Sequence, residues 1–252
     1  MARPDDPAQN SMKPVCLLTG AAGELGNALC NRLCTEYNVI ATYHVAEPAV
    51  VSQNRWPIAS DRATPALGNG NCGVFSVQAD LNRREDIRRL VEVAMARYGQ
   101  IDAIVNSAGD VETHGKLLEL WHDDDYAQIQ LQTNCISPMQ LVSAVHYHCW
   151  KDDTEQNRGM NRSVLNVSCI SGVSMRPAIG TAFRAASYAA LNMLTLHVAS
   201  ELAPYSVRAN AVCFDRHAGP VRGRVVEAVI SLLCGSETGV LQSVTGRELG
   251  TP

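Results

Sequence analysis

The stretch that most narrows what this chain can become is PVCLLTGAAGELGNALCNRL, residues Pro14 to Leu33. An apolar run of strand length passes at once into a glycine-rich turn, Thr19 to Gly26, and then into an amphipathic helical pattern. Glycines placed there let the backbone turn tightly and come close to a pyrophosphate, whose charge meets the N–H groups of a helix N-terminus. The strand–turn–helix context makes the match far more specific than the same letters elsewhere. It predicts an opening βαβ unit and a dinucleotide ligand, with Gly20, Gly23, Glu24, Leu25 and Gly26 at the phosphates.

The alternation continues along the chain. Apolar runs at 14–18, 38–43, 73–78, 101–105, 163–167 and 207–212 are separated by longer stretches, with helical patterns at 26–37, 83–98 and 225–233 and two more helices flanking the fifth run. That order predicts α/β architecture: a single doubly wound Rossmann-type domain around a parallel sheet of six to seven strands. A length of 252 residues fits one such domain, and a hydrophobic fraction of 46% supplies its core. Residues 1–13 are polar and proline-rich and read as a flexible tail, which leaves 14–252 for the domain. One connection is unusual. Between His44 and Gly73, prolines at 48, 57 and 65 confine any helix to a short piece, so a long irregular loop is expected.

Composition removes several function classes. A net charge of −4, with the 21 Lys and Arg spread through the chain, offers no basic stripe for nucleic acid. No apolar run reaches the ~18 residues that a membrane span needs, and no signal peptide opens the chain. The nine cysteines are odd in number and contain no CxxC pair. They read as small buried hydrophobes in a reducing compartment, the cytoplasm, with no metal site.

Further motifs, in order, resemble the short-chain dehydrogenase/reductase family. Its first turn is TGxxxGxG, against TGAAGELG here. Asp80-Leu81 stands where the family's aspartate contacts adenine, and Asn106 to Gly109 (NSAG) resembles NNAG. Asn134 in LQTNCISP matches the helix asparagine of the family's catalytic tetrad, and ELAPYSVRANAV, Glu201 to Val212, resembles ELAPxGIRVNAV. The resemblance covers nearly the whole chain from Pro14. It implies a nicotinamide dinucleotide held by the first turn with Asp80, Leu81, Asn106, Ser107, Ala108 and Gly109. It also implies a small-molecule substrate and a homodimer or homotetramer built through the helices after the fourth and fifth strands. The second strand ends on Tyr43-His44, where an NAD-type protein places an acid for the ribose hydroxyl. A 2′-phosphate then meets no acid, so NADP is favoured, with NAD still allowed. Glu24 replaces the second motif glycine, and its carboxylate weakens or abolishes binding unless it turns to water.

The chemical half departs further. In the family a serine, a tyrosine and a lysine act together, the lysine lowering the pKa of the tyrosine phenol. Here VLNVSCISG puts Cys169 where the serine belongs, flanked by Ser168 and Ser171. The register of AALNMLT places Tyr188 at the lysine and either Phe183 or Arg184 at the tyrosine. Only three lysines exist, Lys13, Lys116 and Lys151, and none follows the fifth strand. The one YxxxK match, Tyr147 to Lys151, precedes that strand and reads as chance. Phe214-Asp215 replaces the proline-glycine turn that backs the nicotinamide, and the substrate lid is compressed to DRHAGPVRGR. A phenol without a neighbouring ammonium, titrating near ~10, donates a proton at neutral pH but hardly accepts one. The candidate catalytic groups are therefore Asn134, Cys169, Ser171, Arg184 and Tyr188, with Asp215 and His217 nearby in sequence. Three functions stay open: an enzyme with a rebuilt site performing carbonyl polarisation, reduction or a non-redox step; a pseudoenzyme that only binds; and an ordinary NADPH-dependent carbonyl reductase.

Overall fold

Four unbroken apolar residues, Val15–Leu18, form the first strand, β1, which is buried on both faces. The computed structural model describes residues 13–49, 54–57, 73–109, 115–119, 125–174, 180–215 and 221–245. Within them β1 leads through the glycine turn into α1 (Glu24–Leu33) and β2 (Asn38–Tyr43). There follow β3 (Asn54–Pro57), β4 (Val74–Gln78), α2 (Arg84–Tyr98) and β5 (Ala103–Asn106). A long helix then runs as α3 (Asp125–Leu131), a π turn (Gln132–Ile136), α4 (Ser137–Val145) and a second π turn (His146–Trp150). The chain continues through α5 (Thr154–Gly159), β6 (Ser163–Cys169), α6 (Ala182–Leu202), β7 (Arg208–Phe214), α7 (Arg222–Cys234) and β8 (Leu241–Val244). All eight strands are parallel, in the order β3-β4-β2-β1-β5-β6-β7-β8.

The period-two alternation of a strand sends successive side chains of β1 to opposite faces. Cys16 and Leu18 pack with Leu29 and Leu33 of α1 and Val225 and Val229 of α7. Val15 and Leu17 join Leu90 and Val91 of α2, Leu141 and Val145 of α4, and Ala199 and Leu202 of α6. Two apolar layers thus cover one sheet, the doubly wound arrangement expected. No helix among the described residues is long and apolar enough to cross a membrane. Five of the eight described cysteines are buried.

The structure corrects several expected boundaries. The six expected strands form the centre of the sheet, and among the described residues β3 and β8 extend it at its two edges. The stretch expected as an irregular loop contributes β3, whose backbone pairs with β4 at the sheet edge, ending at Pro57. An edge is where a sheet tolerates proline. β8 escaped notice because it has only four residues, three of them outside the core. Tertiary contacts hold it: the buried Asn210 amide donates to Glu237 O (2.7 Å) and accepts from the Val240 N–H (2.9 Å). The first helix begins at Glu24 and stops at Leu33, not Tyr37. Its end is set where the Thr35 hydroxyl donates to the Arg32 carbonyl (2.8 Å), a local bond that competes with helix. Residues 1–12 of the expected tail lie outside the described residues, and Lys13 is tied to the domain through Cys34 O.

Beneath the amino ends of β1 and β6 lies a buried ion pair, Arg162 Nε to Asp102 Oδ1 at 3.1 Å, both side chains 1% exposed. The Val15 N–H donates to Asp102 Oδ2 (2.8 Å), and Arg162 also donates to Asn157 Oδ1 (2.6 Å). Burial raises the Asp102 pKa, opposed by the Val15 N–H and by Arg162. Arg162→Gln leaves the carboxylate without its counter-charge, a change that costs about 3–5 kcal/mol for buried pairs. Urea unfolding at neutral pH should show a loss of that order. The pH dependence has a fixed sign. A folded carboxyl with a raised pKa contributes stability present below its unfolded value and lost as pH rises through its folded value. The deficit of the variant should therefore narrow as pH falls from neutrality into the carboxylate range.

Candidate active site

Strand order reverses direction at β1, which leads on one side to β2, β4 and β3 and on the other to β5 and beyond. Open α/β sheets bind ligands in the crevice outside the carboxyl ends of the strands at such a point. Two turns meet there. Gly20, directly after β1, has φ +67°, and a Cβ on it would lie 2.7 Å from the backbone of Ala108. The Thr19 hydroxyl accepts from the N–H groups of Ser107 (3.0 Å) and Ala108 (3.1 Å), so the glycine turn and NSAG are stitched together. At Gly26 a Cβ would run into the Gly20 carbonyl. Gly23 is the N-cap of α1, and no side chain caps that end. The result is a backbone cradle at an uncapped helix N-terminus, with the form that a pyrophosphate fits.

Glu24 does not enter that cradle. Its side chain is 75% exposed and pairs with Arg222, the first residue of α7. Leu25 packs at the edge of the α1–α7 core. At the other end of the crevice the Tyr43 hydroxyl donates to Glu47 Oε1 (3.5 Å). His44 is exposed, with Nε2 4.0 Å from Asp80 Oδ2. Asp80 Oδ1 accepts from the Asn82 N–H (3.0 Å), and Leu81 packs on the second core. An acid therefore does stand near the end of β2: it is Glu47, four residues beyond the position that sequence patterns inspect.

The chemical side chains come from three elements. Asn134 sits in the first π turn, where Pro138 has no N–H for the carbonyl four residues back and the helical ladder widens. Its buried amide donates to Gln130 Oε1 (3.2 Å) and Ser187 Oγ (3.1 Å), joining the π turn to α6. On α6 the inward face carries Arg184, Ser187, Tyr188, Leu191 and Thr195, as the 3.6-residue period requires. Arg184, rather than the half-buried Phe183, shares this face with Tyr188. The Tyr188 hydroxyl points at the turn after β5. A Cβ added to Gly109 would lie 2.6 Å from that oxygen and 3.2 Å from Asn134 Oδ1. Gly172 lets α6 approach, since a Cβ there would come within 2.7 Å of the Tyr188–Ala189 backbone.

Cys169 ends β6, and the Ser171 hydroxyl donates to its sulfur at 3.0 Å. Ser168 is buried beside Cys213 in the strand register, away from that turn. Burial raises the Cys213 thiol to about 11, so it is inert at neutral pH. Asp215 follows β7, and His217 lies outside the described residues, as do residues 216–220 of the lid stretch. No lysine occurs in α6. The Tyr147–Lys151 match is a surface contact, with the ammonium 3.9 Å from the centroid of an exposed ring. No metal-binding cluster occurs among the described residues. Sequence reading missed Gln130 and Ser187, whose signal was their helical spacing, four residues before Asn134 and three after Arg184. It also missed Arg222 and Glu47, for which no local signal exists.

Comparison with known proteins agrees with the geometry. The profile of the short chain dehydrogenase family matches residues 14–225. The putative ketoacyl reductase 2 of the granaticin polyketide synthase from Streptomyces violaceoruber is 31% identical over 205 residues, 79% of this chain and 71% of that protein. Among solved structures, a Pseudomonas aeruginosa RhlG/NADP active-site complex superposes with a TM-score of 0.72 at 17% identity, covering 94% of this chain and 96% of that one. An NADH-dependent reductase complexed with NAD gives 0.73 at 22% identity, covering 93% and 96%.

The contact between Gly109 and Tyr188 is open to a double-mutant cycle. Gly109→Ala forces a methyl against the phenol oxygen, and overpacking of this kind costs roughly 1–3 kcal/mol. Thermal and urea unfolding should show that loss in the single variant and a smaller one in a Tyr188→Phe background. Equal losses in both backgrounds would place the hydroxyl elsewhere.

Proposed function

Because the chain belongs to the short-chain dehydrogenase family, we propose that it is an enzyme that binds a nicotinamide dinucleotide and acts on a small organic carbonyl substrate through a rebuilt acid group. The observation that carries this reading is the Tyr188 hydroxyl. It is buried, directed at Gly109 and beside Asn134, with Arg184 one helical turn away on the same face. Residues four apart on a helix meet, so the guanidinium supplies the fixed positive charge that a lysine would otherwise give. Arginine keeps its proton, which suits it to polarise a carbonyl and not to relay protons.

The nucleotide would be held by Gly20, Gly23, Leu25 and Gly26 at its phosphates, with Asp80, Leu81 and the 106–109 turn along its length. When bound it supplies or accepts a hydride. NADP(H) is the form we favour, since β2 ends on Tyr43-His44 without an immediate acid; Glu47 is the feature that argues for NAD(H). Around the substrate, Tyr188 donates the proton, Arg184 polarises the oxygen, and the Ser171–Cys169 pair lines the turn after β6. A non-redox step needing only a proton donor uses the same groups. A second reading, a pseudoenzyme that binds nucleotide without chemistry, is favoured by the 5% exposure of Tyr188. The buried cysteines, packed as small hydrophobes, fit a reducing compartment such as the cytoplasm.

With a panel of ketones and secondary alcohols and either NADPH or NADH, reduction should be measurable and alcohol oxidation at neutral pH undetectable. Tyr188→Phe should lower kcat/KM for reduction by roughly 10²-fold or more, and Arg184→Gln should lower it too. Robust oxidation that survives both substitutions would overturn the assignment. No turnover with either nucleotide would favour the binding-only reading.

The partner we propose is a second copy of the chain, seated on the outer faces of α4 and α6. Ile136, Met193 and Leu194 are exposed there, beside a groove of about 530 Å³ lined by Met139 and Tyr147. Light scattering behind size exclusion should return a dimer or tetramer, and Leu194→Glu should shift it towards monomer. A monomeric parent protein would refute the assembly.

A further inference from the structure

Two helix N-termini converge above the glycine turn. α1 starts at Glu24 and α7 at Arg222, and the two side chains are paired. Each charge is placed with a purpose that its own helix does not fully explain. The carboxylate of Glu24 sits favourably in the first turn of α1, where the helix dipole attracts an anion. Arg222 and Arg224 occupy the first turn of α7, which contains no acid, so there the dipole opposes the cations. The locus combines two positive helix ends and the Arg222 guanidinium, and Glu24 is the anion paired with it. Both members of the pair are half or more exposed, at 49% and 75%. An ion pair in such a setting is weak and is readily exchanged for a better anion.

We infer that Glu24 is a latch on a phosphate ligand: it holds Arg222 outside the cradle, beside the glycine turn, and an arriving dinucleotide draws Arg222 off it as a ligand for its pyrophosphate. The inference rests on the nucleotide-binding reading above and adds to it a binding residue from outside the glycine motif. A dinucleotide pyrophosphate carries two negative charges and presents oxygens that a guanidinium grips with paired hydrogen bonds. It competes well against one solvated carboxylate. Glu24, which in sequence reads as damage to the motif, becomes a latch that joins the first turn to the start of α7 in the free protein. The cost of opening it lowers affinity modestly and leaves the cradle intact.

Isothermal titration of NADPH, and of ADP-ribose as a probe without the nicotinamide, into four proteins tests this. The proteins are the parent, Glu24→Gln, Arg222→Gln and the double variant. Thermal melts without nucleotide should move little, since both side chains are exposed. Glu24→Gln is expected to bind both probes about threefold to tenfold more tightly than the parent. Arg222→Gln should bind both more weakly, and the gain from Glu24→Gln should disappear in the double variant. A parent that gives no heat while Glu24→Gln binds would overturn the latch, since an exposed ion pair cannot abolish binding. Parent-like affinity in Glu24→Gln would overturn the latch and leave the nucleotide reading standing. A gain that persists without Arg222 would also overturn it, reducing Glu24 to simple repulsion. Absence of heat from all four proteins would remove both the latch and the reading beneath it.

Discussion

Everything at the candidate site depends on how closely two turns approach at the switch point of the sheet. The backbone after β1 and the backbone after β5 come so near that Gly20 has no space for a Cβ against Ala108. Thr19 then satisfies the N–H groups of Ser107 and Ala108 with one hydroxyl oxygen. Buried N–H groups need partners, and here a single threonine supplies two. The consequence reaches the chemistry, because fixing residues 106–109 also fixes Gly109, the surface on which the Tyr188 hydroxyl rests.

A second set of buried polar contacts links that turn to α6. The Asn106 amide donates to Asn166 Oδ1 (2.8 Å), the Asn166 amide to Thr195 Oγ1 (2.8 Å), and the Thr195 hydroxyl to the Leu191 carbonyl (2.7 Å). Asn134 makes a parallel link from the π turn to Ser187. Low local dielectric strengthens such fully buried contacts and makes alternatives costly. Helix α6 is therefore held in one register relative to β5 and β6, whichever residues its inward face presents. A scaffold of this kind tolerates substitution of the groups at its tip without loss of the ordered cradle beside them.

The electrostatic balance of the crevice also differs between its two ends. At the glycine turn the helix N-terminus is uncapped and positive, and Glu24 faces Arg222 instead of the cradle. At the far end of β2 stand the carboxylates of Glu47 and Asp80, with the His44 imidazole beside Asp80. Phosphate chemistry is welcomed at the first end, while the second mixes acid and base within a short span.

The architecture was legible in the chain itself. Strand runs, the glycine turn before α1 and the inward spacing on α6 follow from periodicity and from the steric demands of glycine, which are local properties. Gly20 and Gly26 stand out by their place in the glycine turn, whereas Asn134 and Tyr188 stand out only through the family motifs that surround them. Tertiary structure decided the rest. It alone shows that β3 and β8 extend the sheet, because edge strands of four residues are stabilised by their neighbours and not by their own pattern. It alone turns Glu24 outward to Arg222, nearly two hundred residues away in sequence, and brings Glu47 to Tyr43. It alone distinguishes Arg184 from Phe183 as the neighbour of Tyr188 on the buried face. Local sequence encodes which element forms and which face it buries. Pairings between charges on different elements arise only from the packing of those elements, and no window along the chain contains both partners.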